Sequence, residues 1–400
     1  MNTAPQTKVP HTKAPQTMAL SHLKVLDLTS NLSGPYCAMI LADQGADVIK
    51  IERPDVGDDM RLTPPFINGE SAPFMLFNRN KRSIILDLKD PEDLARLKLL
   101  VADADVMVEN FKPGTAERIG IGYEAMQALN PRLVYCSISG FGQTGPYAKR
   151  GGFDLISQGM SGLAAVCGDE DGPPHRLPIP ITDLTGGMNG AIGVLTAIAA
   201  RDQTGKGQHV DTSLYEAGLA LGVYEAAYHF ATDEVPARLG QRHRGSAPYQ
   251  IFKTRDGYVT VGGAAQKFWS LTCKVLGCPE MIDDPRFAAK ADRVKNNVEL
   301  VEILETYFAA ETTDHWFKAL DAQGVPAGPV LNHKQALSDP QTLARDMVVE
   351  VDHPSAGKTK TLGVHIKLSD TPGAIRRPAP RHGEHTAEII ARLEKKEAAE

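Results

Sequence analysis

The first 140 residues of the chain alternate between short apolar runs and helix-like segments, and this alternation limits the possible folds more than any other feature. Residues 23–28 (LKVLDL) form a strand pattern, residues 35–45 a helix pattern, and residues 46–51 (ADVIKI) a second strand pattern. A proline near the start of the helical segment and a glycine at its end are typical boundary signals. Strands that alternate with helices predict an α/β fold with a doubly wound parallel sheet. The same order returns at 83–88, 90–104, 105–109 and 133–137.

A chain of 400 residues is long enough for more than one hydrophobic core, so we expect two domains. Residues 1–20 contain the near-repeat TKVPHTKAPQT without apolar periodicity, which predicts a disordered tail. Residues 21–232 are expected to form the first part of a large, Rossmann-like domain. A smaller α+β domain with a polar linker or lid is expected at 233–325. Residues 326–400 are expected to return to the large domain and to end in a helix.

Composition argues against several classes of protein. The formal net charge of −6 disfavours non-specific binding of nucleic acid, which requires a basic surface. No run of 18 apolar residues is present, so no membrane span is expected. The cysteines are scattered without a CxxC pair, which favours reduced thiols, a cytoplasmic protein and no metal site. They are Cys37, Cys136, Cys167, Cys273 and Cys278.

Cationic residues follow or precede several of the expected strands. Ligands of doubly wound sheets bind beyond the carboxyl ends of the strands, often at the N-terminus of a helix. Several cations close together in an acidic protein favour a ligand that carries phosphates, although solvated surface charge explains any one of them equally well. The cations are Arg53, Arg79, Lys81, Arg82, Lys112 and Arg118.

Asp183 stands at the start of an unusual helix. It follows an apolar run at 177–181 and precedes a segment with four glycines at 186–193. Each glycine within a helix costs about 0.5–1 kcal/mol relative to alanine, so another group is expected to approach this helix closely. A carboxylate at a helix start is stabilised by backbone N–H groups. Asp183 is therefore either a simple helix cap or a functional carboxylate.

Residues 140–145 (GFGQTG) match the GxGxxG fingerprint of dinucleotide-binding proteins. Pro146 follows at once, and Gly151 and Gly152 come soon after, so no helix is expected to begin there. The pattern therefore favours a glycine-rich active-site loop over a site for NAD or FAD. The sequence contains no GxSxG, Walker A, HExxH or paired CxxC motif.

Seven blocks, in the same order along the chain, resemble the family III CoA-transferases (CaiB/BaiF type), which include formyl-CoA transferase and carnitine CoA-transferase. The resemblance covers residues from about 20 to 393, and no single block would suffice. The blocks are GPYCAMILADQGADVIKIERP, FNRNKRSIILDL, ADVMVENFKPG, GFGQTGP, GGFDLISQGMSGL, PITDLTGG and RDQTGKGQHVDTSL.

The resemblance implies an acyl-CoA:carboxylate CoA-transferase in which Asp183, the acidic residue of the PITDLTGG block, is the nucleophile. Asp183 would attack the thioester to form an aspartyl anhydride, and returning CoA would convert the anhydride to an enzyme–CoA thioester. CoA and acyl-CoA are then substrates, and no permanently bound cofactor is expected. The resemblance also implies an interlocked homodimer, with the apolar segment after Tyr215 suited to burial between subunits.

The resemblance further implies which residues contact CoA and which N–H groups stabilise the reacting oxygen. The CoA contacts would be Leu32 through its backbone, Ser33, Arg53, Asn78, Arg79, Asn80, Lys81, Asn110, Phe111, Lys112 and Arg118. The N–H groups would come from Gly140, Gly142, Gln143 and Gly262. Residues 244–249 would correspond to the lid of the family.

Three functional hypotheses follow from these observations. The first is a transferase of the branch that uses dicarboxylates such as succinate, because the C-terminal half resembles that branch and the four consecutive glycines of formyl-CoA transferase are missing. The second is an α-methylacyl-CoA racemase of the same fold. Racemases carry a histidine before the aspartate of the GxD block, where this chain has Phe153 before Asp154, and phenylalanine accepts no proton. The third is a catalytically silent CoA-binding protein.

Overall fold

The computed structural model describes residues 17–398. Its strands are β1 (Lys24–Asp27), β2 (Asp47–Glu52), β3 (Phe66–Ile67), β4 (Glu70–Ser71), β5 (Lys81–Ile85), β6 (Val106–Glu109), β7 (Val134–Ser139), β8 (His209–Ser213), β9 (Tyr249–Lys253), β10 (Tyr258–Gly262), β11 (Ala327–Pro329), β12 (Val348–His353) and β13 (Gly357–Leu362).

The helices are α1 (Ser33–Asp43), α2 (Ala72–Phe77), α3 (Pro91–Ala102), α4 (Thr115–Arg118), α5 (Tyr123–Leu129), α6 (Asp154–Met160), α7 (Leu163–Val166), α8 (Ile181–Thr204), α9 (Leu214–Leu221), α10 (Val223–Thr232), α11 (Gln266–Leu276), α12 (Lys290–Lys295), α13 (Asn297–Phe308), α14 (Thr313–Ala322), α15 (His333–Ser338), α16 (Pro340–Ala344) and α17 (Thr386–Glu397). Within residues 17–398, none of them has both the length and the apolar character needed to cross a membrane.

Six of the described strands form one parallel sheet in the order β5-β2-β1-β6-β7-β8. Counted along the chain, this is the order 3-2-1-4-5-6 of a doubly wound sheet, so the prediction of an α/β fold with a parallel sheet is confirmed. From β1 the chain proceeds outward to β2 and β5, whereas from β6 it proceeds in the opposite direction. The loops that follow β1 and β6 therefore diverge and leave a crevice between them.

Helices cover both faces of this sheet, which explains why most residues of its inner strands are buried. On one face, Leu41 of α1 and Val194 of α8 belong to the same apolar cluster as Val108 of β6. On the other face, Leu97 of α3 and Ile389 of α17 belong to a second cluster. Since Ile389 lies in the last helix, the C-terminal segment packs against the sheet, as the sequence predicted.

The glycines of α8 allow α1 and β7 to lie directly against it. A Cβ atom on Gly187 would lie 2.5 Å from the carbonyl oxygen of Ser33, and one on Gly190 would lie 2.7 Å from Cδ1 of Ile138. Packed protein interiors leave no room for atoms this close together, so both positions require glycine. The close approach expected from the sequence is made by the protein's own elements.

Two lysines and one aspartate of β1, β2 and β5 have no exposed surface: Asp27, Lys50 and Lys81. Lys81 Nζ lies 2.7 Å from Asp27 Oδ2. Lys50 Nζ lies 2.8 Å from Asp58 Oδ2 and donates to the carbonyl oxygen of Thr29 at 2.7 Å. Burial alone would raise the pKa of Asp27, but Lys50 and Lys81 outweigh it and hold that pKa at about 2. The charged group thus fixes the loop that follows β1.

The described residues divide into two compact units, and the predicted boundaries differ from those observed. The small unit comprises 164–176 and 225–339, and the large unit comprises the rest. The antiparallel sheet β11-β10-β9 belongs to the small unit, so β11 and the residues up to 339 do not return to the large domain at the predicted residue 326. The segment 164–176 joins the small unit because Arg238 donates to carbonyl oxygens within it, at 3.1 and 2.6 Å. The remaining boundary falls after residue 224 rather than 232.

The tail predicted at residues 1–20 lies outside the described residues as far as residue 16. Residues 17–20 are described, and Met18 among them is 5% exposed. The N–H of Leu20 donates to the carbonyl oxygen of Gln44 at 3.0 Å. Residues 18–20 are therefore packed against the large unit instead of forming part of a disordered tail.

The apolar segment after Tyr215 forms two helices, α9 and α10, which are separated by Gly222. Several of its large side chains are exposed in the described chain: Leu219 by 46%, Val223 by 68% and Phe230 by 84%. The burial that the sequence predicts for this segment is therefore not supplied by residues 17–398 of a single chain.

We predict that Gly187→Ala lowers the free energy of unfolding by about 1–3 kcal/mol, because the added methyl group pushes Ser33 and α1 away from α8. Urea unfolding followed by circular dichroism measures the change. Gly159→Ala in α6 is the matched control, since no atom lies within 4 Å of its Cβ position. That variant is expected to be neutral or more stable by up to about 1 kcal/mol. Equal stability of the two variants would contradict the packing argument.

Lys81→Met is expected to lower the free energy of unfolding by about 3–5 kcal/mol, because buried Asp27 loses its nearer cation and hydrogen-bond donor and retains Lys50 at 3.8 Å. Lys89→Met, at an exposed lysine of the same unit, is the control and is expected to unfold like the wild type. The measurement is again the urea midpoint. A Lys81→Met variant as stable as the wild type would show that this lysine is not a structural residue.

Candidate active site

A cavity of about 280 Å³ opens in the large unit at the carboxyl ends of β1, β6 and β7. The loops 30–33 and 110–113 in its wall follow β1 and β6, the strands at which the order of the sheet reverses. This is the position at which doubly wound sheets bind their ligands. The loops 138–140 and 150–153 complete the wall. Of the residues expected from the sequence, the cavity brings together Leu32, Ser33, Asn110, Phe111, Lys112, Gly140 and Asp183.

Side chains from outside the loop 30–33 hold it in place. Asn110 accepts a hydrogen bond from the N–H of Ser30 at 3.0 Å and donates one to the carbonyl oxygen of Ser30 at 2.8 Å. Asp58 accepts from the N–H of Asn31 at 2.8 Å, and Asn31 adopts a left-handed conformation that asparagine tolerates. Leu32 occupies the cap position of α1, and its side chain makes no capping hydrogen bond.

Asp183 lies in the first turn of α8, where it lines the cavity and is half-buried. Burial raises the pKa of this carboxyl group from 3.8 to about 7, and the negative charge of Asp154 contributes to the rise. A carboxylate with so high a pKa is more basic than a solvated one and holds its negative charge less firmly. Such a group is suited to attack an electrophile in the cavity.

Asp154 supplies the cap of α8, the role that the sequence left open for Asp183. Its Oδ1 accepts hydrogen bonds from the N–H and the hydroxyl of Thr182, at 2.9 and 2.8 Å. Its Oδ2 accepts from Nε2 of Gln158 at 2.7 Å. A carboxylate in this position is stabilised by the helix dipole. The same arrangement places a second negative charge near Asp183 and leaves the Asp183 carboxylate facing the cavity.

Glu109 ends β6 directly behind the loop 110–113. It is 3% exposed, and its Oε2 accepts a hydrogen bond from the N–H of Phe111 at 2.7 Å. Burial raises the pKa of Glu109 to about 7, although hydrogen bonds from Ser137 and Phe111 oppose the rise. Ser137 in turn lies 2.9 Å from Nε2 of His209. Glu109 thereby holds the start of the loop 110–113.

Residues 78–81, which were expected to contact CoA, are buried structural residues and do not line the cavity. The carboxylate of Asp43 accepts hydrogen bonds from Arg79 at 2.7 Å and from Asn80 at 2.8 Å. Nζ of Lys81 donates to the carboxylate of Asp27 at 2.7 Å and to Oδ1 of Asn78 at 2.9 Å. The physical reason is topological: these residues begin β5, the edge strand, which is two strands away from the crevice beside β1.

The remaining cations that the sequence suggested also lie outside the cavity wall. Arg53 is exposed and pairs with Asp55 and Asp59. Arg118 is exposed at the end of α4. Arg82 is bound by carboxylates of Asp47 and Glu388, at 2.7 and 2.9 Å. Lys112 is thus the one member of the predicted cation cluster that the described chain places on the cavity.

The glycine-rich loop 140–145 borders the cavity and opens no helix, since α6 begins at Asp154. The prediction of a loop is confirmed. A Cβ atom on Gly140 would lie 2.6 Å from Cα of Gly152, so the loop touches the 150–153 loop backbone to backbone. Gly142 adopts a φ of 88°, which requires glycine, and its N–H donates to Oγ of Ser139 at 2.9 Å.

Three of the four N–H groups expected to stabilise an oxyanion are already bound to internal acceptors. Besides that of Gly142, the N–H of Gln143 donates to the carboxylate of Asp211 at 3.1 and 3.2 Å. The N–H of Gly262, in the small unit, donates to the carbonyl oxygen of Pro326 at 2.8 Å. In the described conformation these three N–H groups are bound within the protein, and their role as oxyanion donors stays a prediction.

The cavity also contains residues that were not selected from the sequence. Arg150 lines it, and its guanidinium lies 4.8 Å from the ring centroid of Tyr147 and 5.6 Å from that of Phe141. Phe153, considered only for its place before the GxD aspartate, lines the same cavity and is 72% exposed. A large exposed aromatic side chain beside a cation is typical of a binding surface. The sequence signal was a basic residue directly before the glycine pair 151–152.

The cavity residues lie within the part of the chain that is similar to known proteins. The sequence profile of CoA-transferase family III matches residues 20–386. The succinyl-CoA:glutarate CoA-transferase of Mus musculus is 40% identical over 372 residues, which cover 93% of this chain and 85% of that protein. The acetyl-CoA:oxalate CoA-transferase of Acetobacter aceti is 40% identical over 369 residues, which cover 92% of this chain and 94% of that protein.

Comparison of the fold with solved structures points to the same family. The crystal structure of a CAIB/BAIF family protein from Brucella suis matches with a TM-score of 0.85 and 36% identity, over 94% of this chain and 100% of that one. The profile match includes all four cavity loops and Asp183. The chain therefore belongs to CoA-transferase family III and is a CoA-transferase.

Proposed function

We propose that this enzyme transfers CoA from a dicarboxylic acyl-CoA such as succinyl-CoA to an acceptor carboxylate, with Asp183 as the nucleophile. The observation that carries the proposal is the Asp183 carboxylate, which has a raised pKa and lines the cavity where the order of the sheet reverses. Asp154 caps the helix, so Asp183 is free to react.

The reaction proceeds in two matched halves. The Asp183 carboxylate attacks the thioester carbonyl, the C–S bond breaks, and a mixed anhydride and CoA thiolate are formed. The thiolate then attacks the aspartyl carbonyl, so that the first carboxylic acid leaves as its carboxylate and an enzyme–CoA thioester remains. The acceptor carboxylate repeats these steps in the reverse direction. No proton or external energy source is consumed, because thioester and anhydride are both activated acyl groups.

We assign CoA to the wall formed by the loops 30–33 and 110–113. The contacts that we propose are Leu32, Ser33, Asn110, Phe111 and Lys112, supported by their position on the cavity. The uncapped N-terminus of α1 in this wall suits an anionic phosphate. Arg53 and Arg118 are exposed, and we propose that they bind the outer part of CoA. Residues 78–81 instead act through the strands that support the loop.

The class of acid is proposed from the relatives. The Mus musculus protein is named for succinyl-CoA and glutarate, whereas the Acetobacter aceti protein is named for acetyl-CoA and oxalate. We propose succinyl-CoA as donor and a dicarboxylic acceptor, and the tests below include both kinds of acid. Phe153 supports transfer over racemisation, because its ring presents no proton acceptor to an α-carbon in this cavity.

We propose further that the enzyme is a homodimer, interlocked as in the family, and that it is cytoplasmic. Exposed apolar side chains support the dimer: Ile192 and Leu195 on α8, at 61% and 39%, and Leu219 on α9, at 46%. Side chains of this size next to a nucleophile-bearing helix are typical of a subunit interface. The five cysteines are free thiols, as expected in a reducing compartment.

The first test is CoA exchange with wild type and Asp183→Asn, read by mass spectrometry. Each enzyme is mixed with succinyl-CoA and either glutarate, oxalate or acetate. We expect new CoA thioesters from the wild type and at least a thousandfold loss in the variant, on the order of the effect of removing a catalytic nucleophile. Equal rates would remove Asp183 from the mechanism. Deuterium uptake at the α-carbon of a branched acyl-CoA, without transfer of CoA to another acid, would instead favour the racemase.

Thermal unfolding of Asp183→Asn serves as the control for folding. The folded-state pKa of Asp183 is raised above 3.8, so its ionisation opposes folding and wild-type stability falls as pH rises from about 4 to about 7. Asparagine removes this penalty. The variant is therefore expected to have a Tm a few degrees above that of the wild type at pH 8, with the difference vanishing near pH 4.

The second test is the pH dependence of kcat/KM for succinyl-CoA. Only ionised Asp183 attacks, so kcat/KM is expected to rise with pH through a limb centred near 7. Asp154→Asn removes the neighbouring negative charge, which stabilises the ionised form of Asp183 and moves the midpoint to lower pH. Asparagine still offers an oxygen to Thr182, so the cap of α8 is largely retained.

Asp202→Asn is the control for this shift, because Asp202 is exposed near the other end of α8. Its pH profile is expected to match that of the wild type. The shift between variants is more diagnostic than the midpoint itself, since Glu109 also has a pKa of about 7. If Asp154→Asn left the midpoint unchanged, the limb would belong to a group other than Asp183.

A further inference from the structure

We propose that Arg150 binds the distal carboxylate of a dicarboxylic acyl group and thereby selects dicarboxylic over monocarboxylic acids. The inference rests on the function proposed above and adds a specificity-determining residue to it. Arg150 and Lys112 are the two cations on the cavity wall, and neither forms an ion pair within residues 17–398. The chain therefore presents two uncompensated positive charges to whatever occupies the cavity.

The charge of the substrate requires such a group. A succinyl or glutaryl group brings a second carboxylate into the cavity, where Asp183 already carries one negative charge during the reaction. A carboxylate that loses water on entry is stable only if cations or hydrogen-bond donors replace that water. Several of the other cations that the sequence suggested are paired with the protein's own acids, as Arg79 is with Asp43 and Lys81 with Asp27.

The two available cations lie on different walls. Lys112 belongs to the loop 110–113, to which we assign CoA. Arg150 belongs to the loop 150–153, which runs directly into α6. There Asp154 binds the first turn of α8 through Thr182, at 2.8 and 2.9 Å. The wall that carries Arg150 is thus bonded to the helix of the nucleophile, on which the acyl group resides as the anhydride.

Arg150 lines the same cavity as Asp183 but forms no ion pair with it. A guanidinium in contact with the nucleophile would lower the pKa of the nucleophile and weaken its attack. The absence of this ion pair suits a residue that binds the far end of the substrate. The exposed ring of Phe153 on the same loop offers apolar surface to the methylene groups between the two ends.

The aromatic neighbours of Arg150 orient it for this contact. Its guanidinium lies over the Tyr147 ring and near the Phe141 ring, at 4.8 and 5.6 Å from the centroids. Stacking on a ring leaves the N–H groups at the rim of the guanidinium free to donate. Two of them match the two oxygens of a carboxylate, which is the geometry of a bidentate ion pair.

The test compares two donors that differ in the distal group, succinyl-CoA and butyryl-CoA, with glutarate as acceptor. We expect Arg150→Gln to lower kcat/KM for succinyl-CoA by about tenfold to a hundredfold, which is the contribution of a hydrogen bond between charged groups. The kcat/KM for butyryl-CoA is expected to change by less than about twofold. Arg150→Lys is expected to retain part of the preference. Lys149→Gln is the matched control, since Lys149 is an adjacent exposed cation outside the cavity wall. For this variant, the ratio of kcat/KM for succinyl-CoA to kcat/KM for butyryl-CoA is expected to equal that of the wild type.

An equal loss for both donors would overturn the proposal, because it would place Arg150 on CoA or on the fold of the loop. An unchanged ratio would overturn it as well. The outcome is separate from that of the proposed function, which Asp183→Asn tests with both donors. A readout without turnover is thermal stabilisation by glutarate compared with pentanoate. Glutarate is expected to raise the Tm of the wild type further than pentanoate does. If glutarate raised the Tm of Arg150→Gln as much as that of the wild type, the proposal would be contradicted.

Discussion

One wall of the active-site cavity depends on charges that are buried beneath it. Asp27, Lys50 and Lys81 have no exposed surface and lie where β1, β2 and β5 meet. Removing one member of such a group leaves an uncompensated charge in the interior, which costs several kcal/mol. The group therefore keeps the strand ends in register. Through the hydrogen bond from Lys50 to the carbonyl oxygen of Thr29, it also holds the loop that leads to the cavity.

This arrangement explains why charge in the sequence was a poor guide to ligand contacts. Four neighbouring basic or amide residues at 78–81 match the pattern of a phosphate site, yet three of them bind acids of the same chain. Arg79 and Asn80 bind Asp43, and Lys81 binds Asp27. These acidic partners lie between 36 and 54 positions away in the sequence, so no local pattern reveals the pairing. The cations on the cavity wall, Lys112 and Arg150, lie in loops.

Element type and the parallel sheet could be predicted from local patterns, whereas domain boundaries could not. The alternation of strands and helices specifies a parallel sheet because parallel strands need crossover helices. The short strand Ala327–Pro329 could have joined either sheet. Its pairing with Tyr258–Gly262 decides that it belongs to the small unit, and a pairing partner that is distant in sequence leaves no local signal. The same holds for the segment 164–176, whose partner Arg238 lies about 70 positions further on.

The sequence by itself determined the fold class, the family and the close packing around the glycines of the helix that begins at Ile181. These properties follow from hydrophobic period, residue size and the order of motifs, all of which are local or additive along the chain. The tertiary structure alone decided that Asp154 caps this helix while Asp183 faces the cavity, and that Arg150 and Phe153 line the same cavity as Asp183. Burial, hydrogen-bond direction and the pairing of charges depend on groups that meet only after the strands are ordered. The raised pKa of Asp183 is a product of that assembly.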